Sequence, residues 1–198
     1  MNKENGRSMV EMLGVLAIIG VLSAGALAGY SKAMFRHRVN QTIEEVALIF
    51  QKFIEIENKD WGNDVIAGVE DLQSLGLLTN CTKGRYGCKL PIGEISGYFE
   101  RCVFPDAPTS YCGEWELYLH NAKQCVAFLS IGWENIVPQD WFIPNGQIMV
   151  NGYKIYYPTG HDDDTPITEM SISDITEACR NCEERTSCYI AFVIGNYL

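Results

Sequence analysis

The sequence has little of what several protein classes need. It contains only 3 histidines among 198 residues, which leaves few groups for acid–base or nucleophilic catalysis near neutral pH. Its formal net charge is −10, so it lacks the basic excess with which nucleic-acid-binding proteins displace counterions from phosphates. We therefore expect neither an enzyme nor a specific nucleic-acid partner, and we expect no required cofactor.

Charge is also missing from a long segment near the N-terminus. Residues 12–31 carry no charged side chain, and a helix of that length crosses about 30 Å of hydrocarbon at about 1.5 Å per residue. One acid, Glu11, directly precedes this run. A carboxylate in hydrocarbon is costly unless it is paired, so a carboxylate at this position requires a physical reason.

Helix-breaking residues are absent from the segment that follows. Neither proline nor glycine occurs between Gly29 and Gly62, and apolar residues there recur at steps of three and four. This spacing predicts an amphipathic helix that continues the apolar run. We expect one helix from about Arg7 to about Asn58, roughly 75 to 80 Å long.

Cysteine is absent before residue 81, but eight cysteines follow. An even number beyond a membrane-targeting segment is typical of a disulfide framework made in an oxidising compartment. The pairing cannot be deduced from the sequence; short loops suggest Cys81 with Cys88, and Cys102 with Cys112. The disulfide candidates are Cys81, Cys88, Cys102, Cys112, Cys125, Cys179, Cys182 and Cys188.

A zinc site is the alternative use of the last three cysteines. Cys179, Cys182 and Cys188 provide one CxxC motif. The sequence offers no second CxxC and no nearby histidine to complete four ligands. We therefore favour disulfides.

Strand patterns dominate the second half of the chain. Alternating and β-branched residues predict five strands, of which the third and fourth are joined by Asn151-Gly152, a two-residue turn that requires positive φ. The first two are expected to form another hairpin. The predicted strands are 115–120, 124–133, 147–150, 153–157 and 188–194.

Segments outside these predicted strands have weaker patterns. Residues 69–78 predict a short helix, and residues 79–97 predict a glycine-rich loop. A further helix is expected to start at Ser173-Asp174. The fold class is therefore α+β, with an antiparallel sheet of four or five strands whose apolar face covers the stripe of the long helix.

The segment GRSMVE, residues 6–11, and the apolar run after it resemble the prepilin cleavage and methylation motif of type IV pilins and type II secretion pseudopilins. The resemblance implies that a prepilin peptidase cuts after Gly6 and N-methylates Arg7, where the family usually has phenylalanine or methionine. Glu11 then corresponds to the family's glutamate, which neutralises the terminal amine of a neighbouring subunit. Gly25 and Gly29 form a GxxxG pair at which helices can approach closely.

This resemblance implies a pilin-like roll with four segments. They are a leader (1–6), a transmembrane and polymerisation helix (7–30), its amphipathic second half (31–58) and a disulfide-rich head (59–198). The implied partners are copies of the chain or other pilins, the prepilin peptidase, the inner-membrane assembly platform, and lipid before assembly.

The same resemblance implies a location and an orientation. The head lies in the bacterial periplasm before assembly, and in an extracellular pilus or a periplasmic pseudopilus afterwards. Three cations, Lys32, Arg36 and Arg38, oppose this orientation under the positive-inside rule. The cysteines favour it, and they carry more weight because cytosolic thiols stay reduced.

Two features near the C-terminus also match the family. Many type IV pilins close a C-terminal loop with a disulfide, for which either Cys179 or Cys182 can pair with Cys188. Some pseudopilins hold calcium in this region, and clustered carboxylates suit that ion, but the spacing here departs from the D-x-D-x-D-G loop and also fits a solvated charge run. The candidate calcium ligands are Asp162, Asp163 and Asp164.

Two further hypotheses come from other classes. In the first, Lys3 and Arg7 open a signal peptide that is cleaved after Ala28, which releases a secreted disulfide-rich binding module. In the second, a membrane-anchored adhesin keeps its helix and never polymerises. The acid at Glu11 and the helical pattern beyond residue 28 favour the pilin hypothesis over the signal peptide.

Overall fold

A computed structural model provides the structure of the protein. The chain divides into two compact units, Met1–Arg38 and Val39–Leu198. The structure describes residues 9–57, 66–67, 73–74, 76, 82–104, 107–133, 136–137, 146–156, 168–180, 182 and 188–196.

The longest element is helix α1, Met9–Glu57, with 49 residues. It confirms the predicted continuous helix, whose proposed start at Arg7 lies outside the described residues. In the first unit the helix makes no core of its own, because every residue from 9 to 33 is exposed. The uncharged run is therefore a helix with apolar side chains on all sides, and every one of its residues is exposed.

In the second unit, one stripe of α1 enters the core of the head. Val39, Val46, Ile49 and Phe50 are all buried. Their spacing places them on one face of a helix with 3.6 residues per turn. The predicted amphipathic stripe is thus confirmed over this stretch.

The head contains one antiparallel sheet, which confirms the α+β class. The hydrogen-bonded order is β2-β3-β4-β5-β8-β6-β7, and β1 pairs with β4 beside this path. Every pairing is antiparallel. The strands are β1 (Ile66–Ala67), β2 (Thr82–Lys83), β3 (Cys88–Leu90), β4 (Gly93–Phe104), β5 (Ala107–Leu119), β6 (Gln147–Val150), β7 (Tyr153–Tyr156) and β8 (Cys188–Asn196).

The sheet has more strands than the predicted four or five. Within the described part of the chain it has 8 strands, because Ile66–Ala67 forms β1 and the predicted loop 79–97 contains β2, β3 and the start of β4. These strands are 2 and 3 residues long, apart from β4, and segments this short show little alternation of apolar and polar residues. Most of the predicted short helix at 69–78 lies outside the described residues.

The predicted strand at 124–133, and with it the first predicted hairpin, is wrong. The segment begins within helix α2, Ala122–Leu129. Asn121 caps this helix by accepting a hydrogen bond from the Gln124 backbone N–H at 3.0 Å, and the Gln124 side chain accepts one from the His120 N–H at 2.9 Å. This exchange resembles a capping box, whose N-x-x-Q pattern was visible in the sequence. The buried residues of α2 are Cys125, Phe128 and Leu129.

Helix α3 spans Ile172–Arg180 and begins slightly before the predicted start at Ser173-Asp174. Ser171 caps it, because its Oγ accepts a hydrogen bond from the Asp174 N–H at 3.1 Å. One face, which includes Ile175 and Cys179, is buried.

The predicted turn at Asn151-Gly152 is confirmed. Asn151 has φ 49° and Gly152 has φ 86°, as a type I′ hairpin turn requires. Asn151 is buried and also joins the turn to β8. Its backbone N–H donates to the Tyr189 carbonyl at 3.0 Å, and its Oδ1 accepts from the Tyr189 N–H at 3.1 Å.

An aromatic cluster joins α1 to the rest of the head. The Phe50 ring lies 5.2 Å from that of Phe192 and 6.1 Å from that of Trp133. Phe128 of α2 stacks on Trp133 at 4.7 Å and accepts the indole N–H at its carbonyl at 2.9 Å. The long helix, α2 and β8 therefore share one aromatic core.

Gly97 of β4 leaves the space that the buried Trp115 ring of β5 fills. The two residues face each other in the sheet, and a Cβ on Gly97 would lie 2.5 Å from Trp115 Cε3. We expect Gly97→Ala to destabilise the head by about 1–3 kcal/mol, since an added methyl group must displace a packed ring. Thermal unfolding of the full chain in detergent, followed by near-UV circular dichroism, measures this loss.

Ser96→Ala is the matched control, because Ser96 is the neighbouring position in β4 and is only half-buried. Equal melting temperatures for the two variants would contradict the proposed packing constraint.

Candidate functional site

The candidate functional site is the exposed surface of α1 in the first unit. An 18-residue window of this helix is long and apolar enough to cross a membrane, and 0% of the window is buried. The apolar core helix of a soluble protein would be mostly buried, so that explanation does not apply. Soluble monomers rarely expose apolar patches larger than a few hundred Å², so this surface requires lipid or other chains.

Glu11 lies in the first turn of α1, between the exposed residues Val10 and Met12. The N-terminal end of a helix carries partial positive charge, which favours a carboxylate there. The predicted cleavage and methylation positions, Gly6 and Arg7, lie outside the described residues. The structure therefore locates one member of the predicted motif, at the start of the apolar surface.

The glycines of this helix are not required by the chain's own fold. A Cβ added to Gly25 or Gly29 would meet nothing within 4 Å, and the same holds for Gly14 and Gly20. Each glycine weakens a helix by about 1 kcal/mol relative to alanine. Packing of another helix against the glycine surface would explain why this cost is tolerated, because small residues let backbones approach closely.

Larger side chains at the GxxxG pair should weaken association between helices without destabilising the head. Gly25→Leu and Gly29→Leu should leave the melting temperature of the head unchanged, since a Cβ at either position meets nothing within 4 Å. Each should weaken association of full chains in detergent micelles about tenfold, or ~1.4 kcal/mol, because close backbone packing is lost. Analytical ultracentrifugation or energy transfer between labelled chains measures this association.

Gly20→Leu is the matched control, because it adds the same side chain to another open position of the same helix. If Gly20→Leu weakens association as much as Gly29→Leu does, the contact does not depend on the GxxxG pair.

Two described disulfides stabilise the head. One joins Cys125 to Cys179, with a sequence separation of 54, and the other joins Cys182 to Cys188, with a separation of 6. Of the two predicted ways to close a C-terminal loop, the structure has the one through Cys182. The pairing of Cys125 with Cys179 was not predicted, because residues so far apart give no local signal.

The other predicted pairs, Cys81 with Cys88 and Cys102 with Cys112, lie partly outside the described residues. Cys88 is disulfide-bonded, and its partner is none of the four cysteines just named. Cys81 lies outside the described residues, as do the side chains of Cys102 and Cys112, whose strands are described. The candidate calcium ligands, Asp162, Asp163 and Asp164, also lie outside them.

The face of the sheet opposite the core presents tyrosines and acids. The Tyr86 and Tyr118 rings stack at 4.3 Å, and Tyr189 lies 6.1 Å from Tyr118. Glu116 accepts a hydrogen bond from the Tyr118 hydroxyl. Burial, this hydrogen bond and the Glu116 charge raise the pKa of Tyr118, and burial and the same charge raise the pKa of Glu114. The sequence interpretation did not identify this acidic aromatic face.

No family model, no curated protein and no solved structure matches the chain. The function must therefore be argued from the molecule itself. A long apolar N-terminal helix followed by an antiparallel sheet is a pilin-like architecture. The apolar helix and the disulfides together indicate a membrane-associated protein whose head lies outside the cytoplasm.

Proposed function

We propose that the chain is a structural subunit of a type IV pilus or a type II secretion pseudopilus, and that it acts by assembly rather than by catalysis. The observation that carries this proposal is the unburied, membrane-spanning surface of α1. The same helix contributes Phe50 to the aromatic core of the head. A segment used only for export would have no reason to continue in helical phase into a folded core.

Assembly exchanges one apolar environment for another. Before assembly, the apolar surface of α1 lies in lipid; in a filament it packs against other copies or other pilins. Lipid tails are as apolar as leucine, so this exchange gains little hydrophobic free energy. Close packing and polar pairing must then determine the contact, and Gly25, Gly29 and Glu11 are the residues suited to those two roles.

Glu11 provides the polar part of this contact. Cleavage after Gly6 would leave a new amine on Arg7, which carries positive charge at neutral pH. A carboxylate and an amine that pair between neighbouring subunits relieve each other's cost of leaving water. Because only one axial position brings the two groups together, the pair defines the register of the subunits.

This function implies the partners and the location of the chain. The prepilin peptidase and an inner-membrane assembly platform act on it while its head lies in the periplasm. The assembled product is an extracellular pilus or a periplasmic pseudopilus. No metal or cofactor is required for this mechanism, and calcium at residues 162–164 would be an addition to it.

Processing gives the first test. Intact mass and N-terminal peptide mapping of protein from its native membrane should find a terminus at Arg7 with one added methyl group. A prepilin peptidase leaves this product and a signal peptidase does not. A terminus at Gly29 would instead indicate a secreted module and would refute the filament proposal.

Substitution of the acid gives the second test. Glu11→Ala should leave processed protein in the membrane and reduce sheared filaments at least about tenfold, since the charged amine of each incoming subunit loses its partner (~1.4 kcal/mol or more). Quantitative immunoblots of filament and membrane fractions measure the effect.

Glu44→Ala is the matched control, because Glu44 is an exposed acid of the same helix but lies in the second unit. It should assemble normally. Normal surface display and function for Glu11→Ala would favour the membrane-anchored adhesin that never polymerises.

A further inference from the structure

Four cysteines from two distant parts of the sequence meet in the interior of the head. Cys125 lies in α2, Cys179 in the last turn of α3, Cys182 just beyond α3 and Cys188 at the first position of β8. All four are buried. The sulfurs of Cys125, Cys182 and Cys188 lie within 4.8 Å of one another, and the Cys179 sulfur is bonded to that of Cys125 at 2.05 Å.

We propose that these four cysteines form a zinc site in the reduced chain, before their disulfides are made. In a tetrahedral site of four thiolates, a Zn–S distance of about 2.3 Å places the sulfurs about 3.8 Å apart. The Cys125 sulfur lies within 4.8 Å of those of Cys182 and Cys188, and Cys179 is bonded to Cys125, so opening both disulfides leaves four sulfurs close to one another. The geometry supplies Cys125 as the fourth ligand that the CxxC motif lacked.

The surroundings of the sulfurs suit thiolates. The Asn151 side-chain N–H donates to Cys182 Sγ at 3.7 Å, and Asn151 is itself buried. Hydrogen bonds from neighbouring groups orient metal ligands and stabilise their charge. Within the CxxC motif, the Cys182 N–H donates to the Cys179 carbonyl at 3.0 Å, which holds the two cysteines in a tight turn.

Formation of the zinc site and its later conversion to two disulfides require no reductant. The chain is synthesised with four thiols, and binding of Zn²⁺ displaces their protons to give four thiolates. Two disulfide-bearing oxidants then each accept two electrons by thiol–disulfide exchange. The bonds Cys125–Cys179 and Cys182–Cys188 form, and Zn²⁺ leaves. The site is therefore specific to the reduced state.

Such a site would hold α2, α3 and β8 together before oxidation. These three elements carry Cys125, Cys179 and Cys188, and Cys182 lies just beyond α3. A metal bound by all four sulfurs therefore joins the same elements that the two disulfides join later. A structural zinc site contributes directly to folding in this way. This inference concerns the head alone and does not depend on filament assembly.

The test uses the full chain in detergent, reduced with a phosphine and supplied with Zn²⁺ in excess under anaerobic conditions. After removal of free metal, we expect one zinc per reduced chain and none on the oxidised chain, by atomic emission. Replacement by Co²⁺ should give the visible spectrum of tetrahedral sulfur ligation. A reduced chain without bound zinc, or with a spectrum of oxygen and nitrogen ligands, would overturn the proposal.

Cys125→Ser and Cys88→Ser separate this site from the other cysteines. Cys125→Ser should weaken zinc binding at least tenfold, measured by competition with a chelator, whereas Cys88→Ser should keep one tightly bound zinc. Equal affinities for the two variants would overturn the assignment. Circular dichroism of both variants with and without zinc shows whether a variant folds, and the cobalt spectrum of the wild-type chain tests the ligand set independently of any substitution.

Discussion

The head depends on the contact that Phe50 makes with Trp133 and Phe192. This phenylalanine is the point at which α1 joins the aromatic core, and its ring meets both partners edge to face. Aromatic pairs in this geometry contribute beyond the area that they bury. Trp133 is held in turn by its hydrogen bond to the Phe128 carbonyl, so the orientation of α2 determines the surface that α1 packs against.

A second constraint is that one helix serves two environments. From Val39 onward α1 places one stripe in a protein core, whereas residues 9–33 are all exposed and are apolar over most of that length. The composition follows this difference, because the uncharged run of residues 12–31 is followed from Lys32 onward by acids and cations. An apolar surface on all sides suits lipid or a bundle of similar helices, and neither use requires the head to change its packing.

Sequence reasoning succeeded where local chemistry determines structure. The Asn151-Gly152 turn was predictable because few residues accept positive φ, and α1 was predictable because its periodicity extends over many turns. The prediction of a strand from Gln124 was wrong because a short apolar run fits a buried strand or a buried helix equally well. The capping pattern at Asn121 is the local signal that distinguishes the two. The bond between Cys125 and Cys179 depends on how α2 and α3 pack, which only the folded chain determines.

The residues proposed to act in assembly share a property that distinguishes them from the rest of the chain. A Cβ on Gly25 or Gly29 would meet nothing within 4 Å, and both glycines reduce helix stability. Glu11 places a carboxylate where an apolar side chain would have a lower free energy in hydrocarbon. Features that cost free energy in the single chain are best explained by contacts outside it, and a filament of like helices provides both a close backbone approach for the glycines and an amine for the acid.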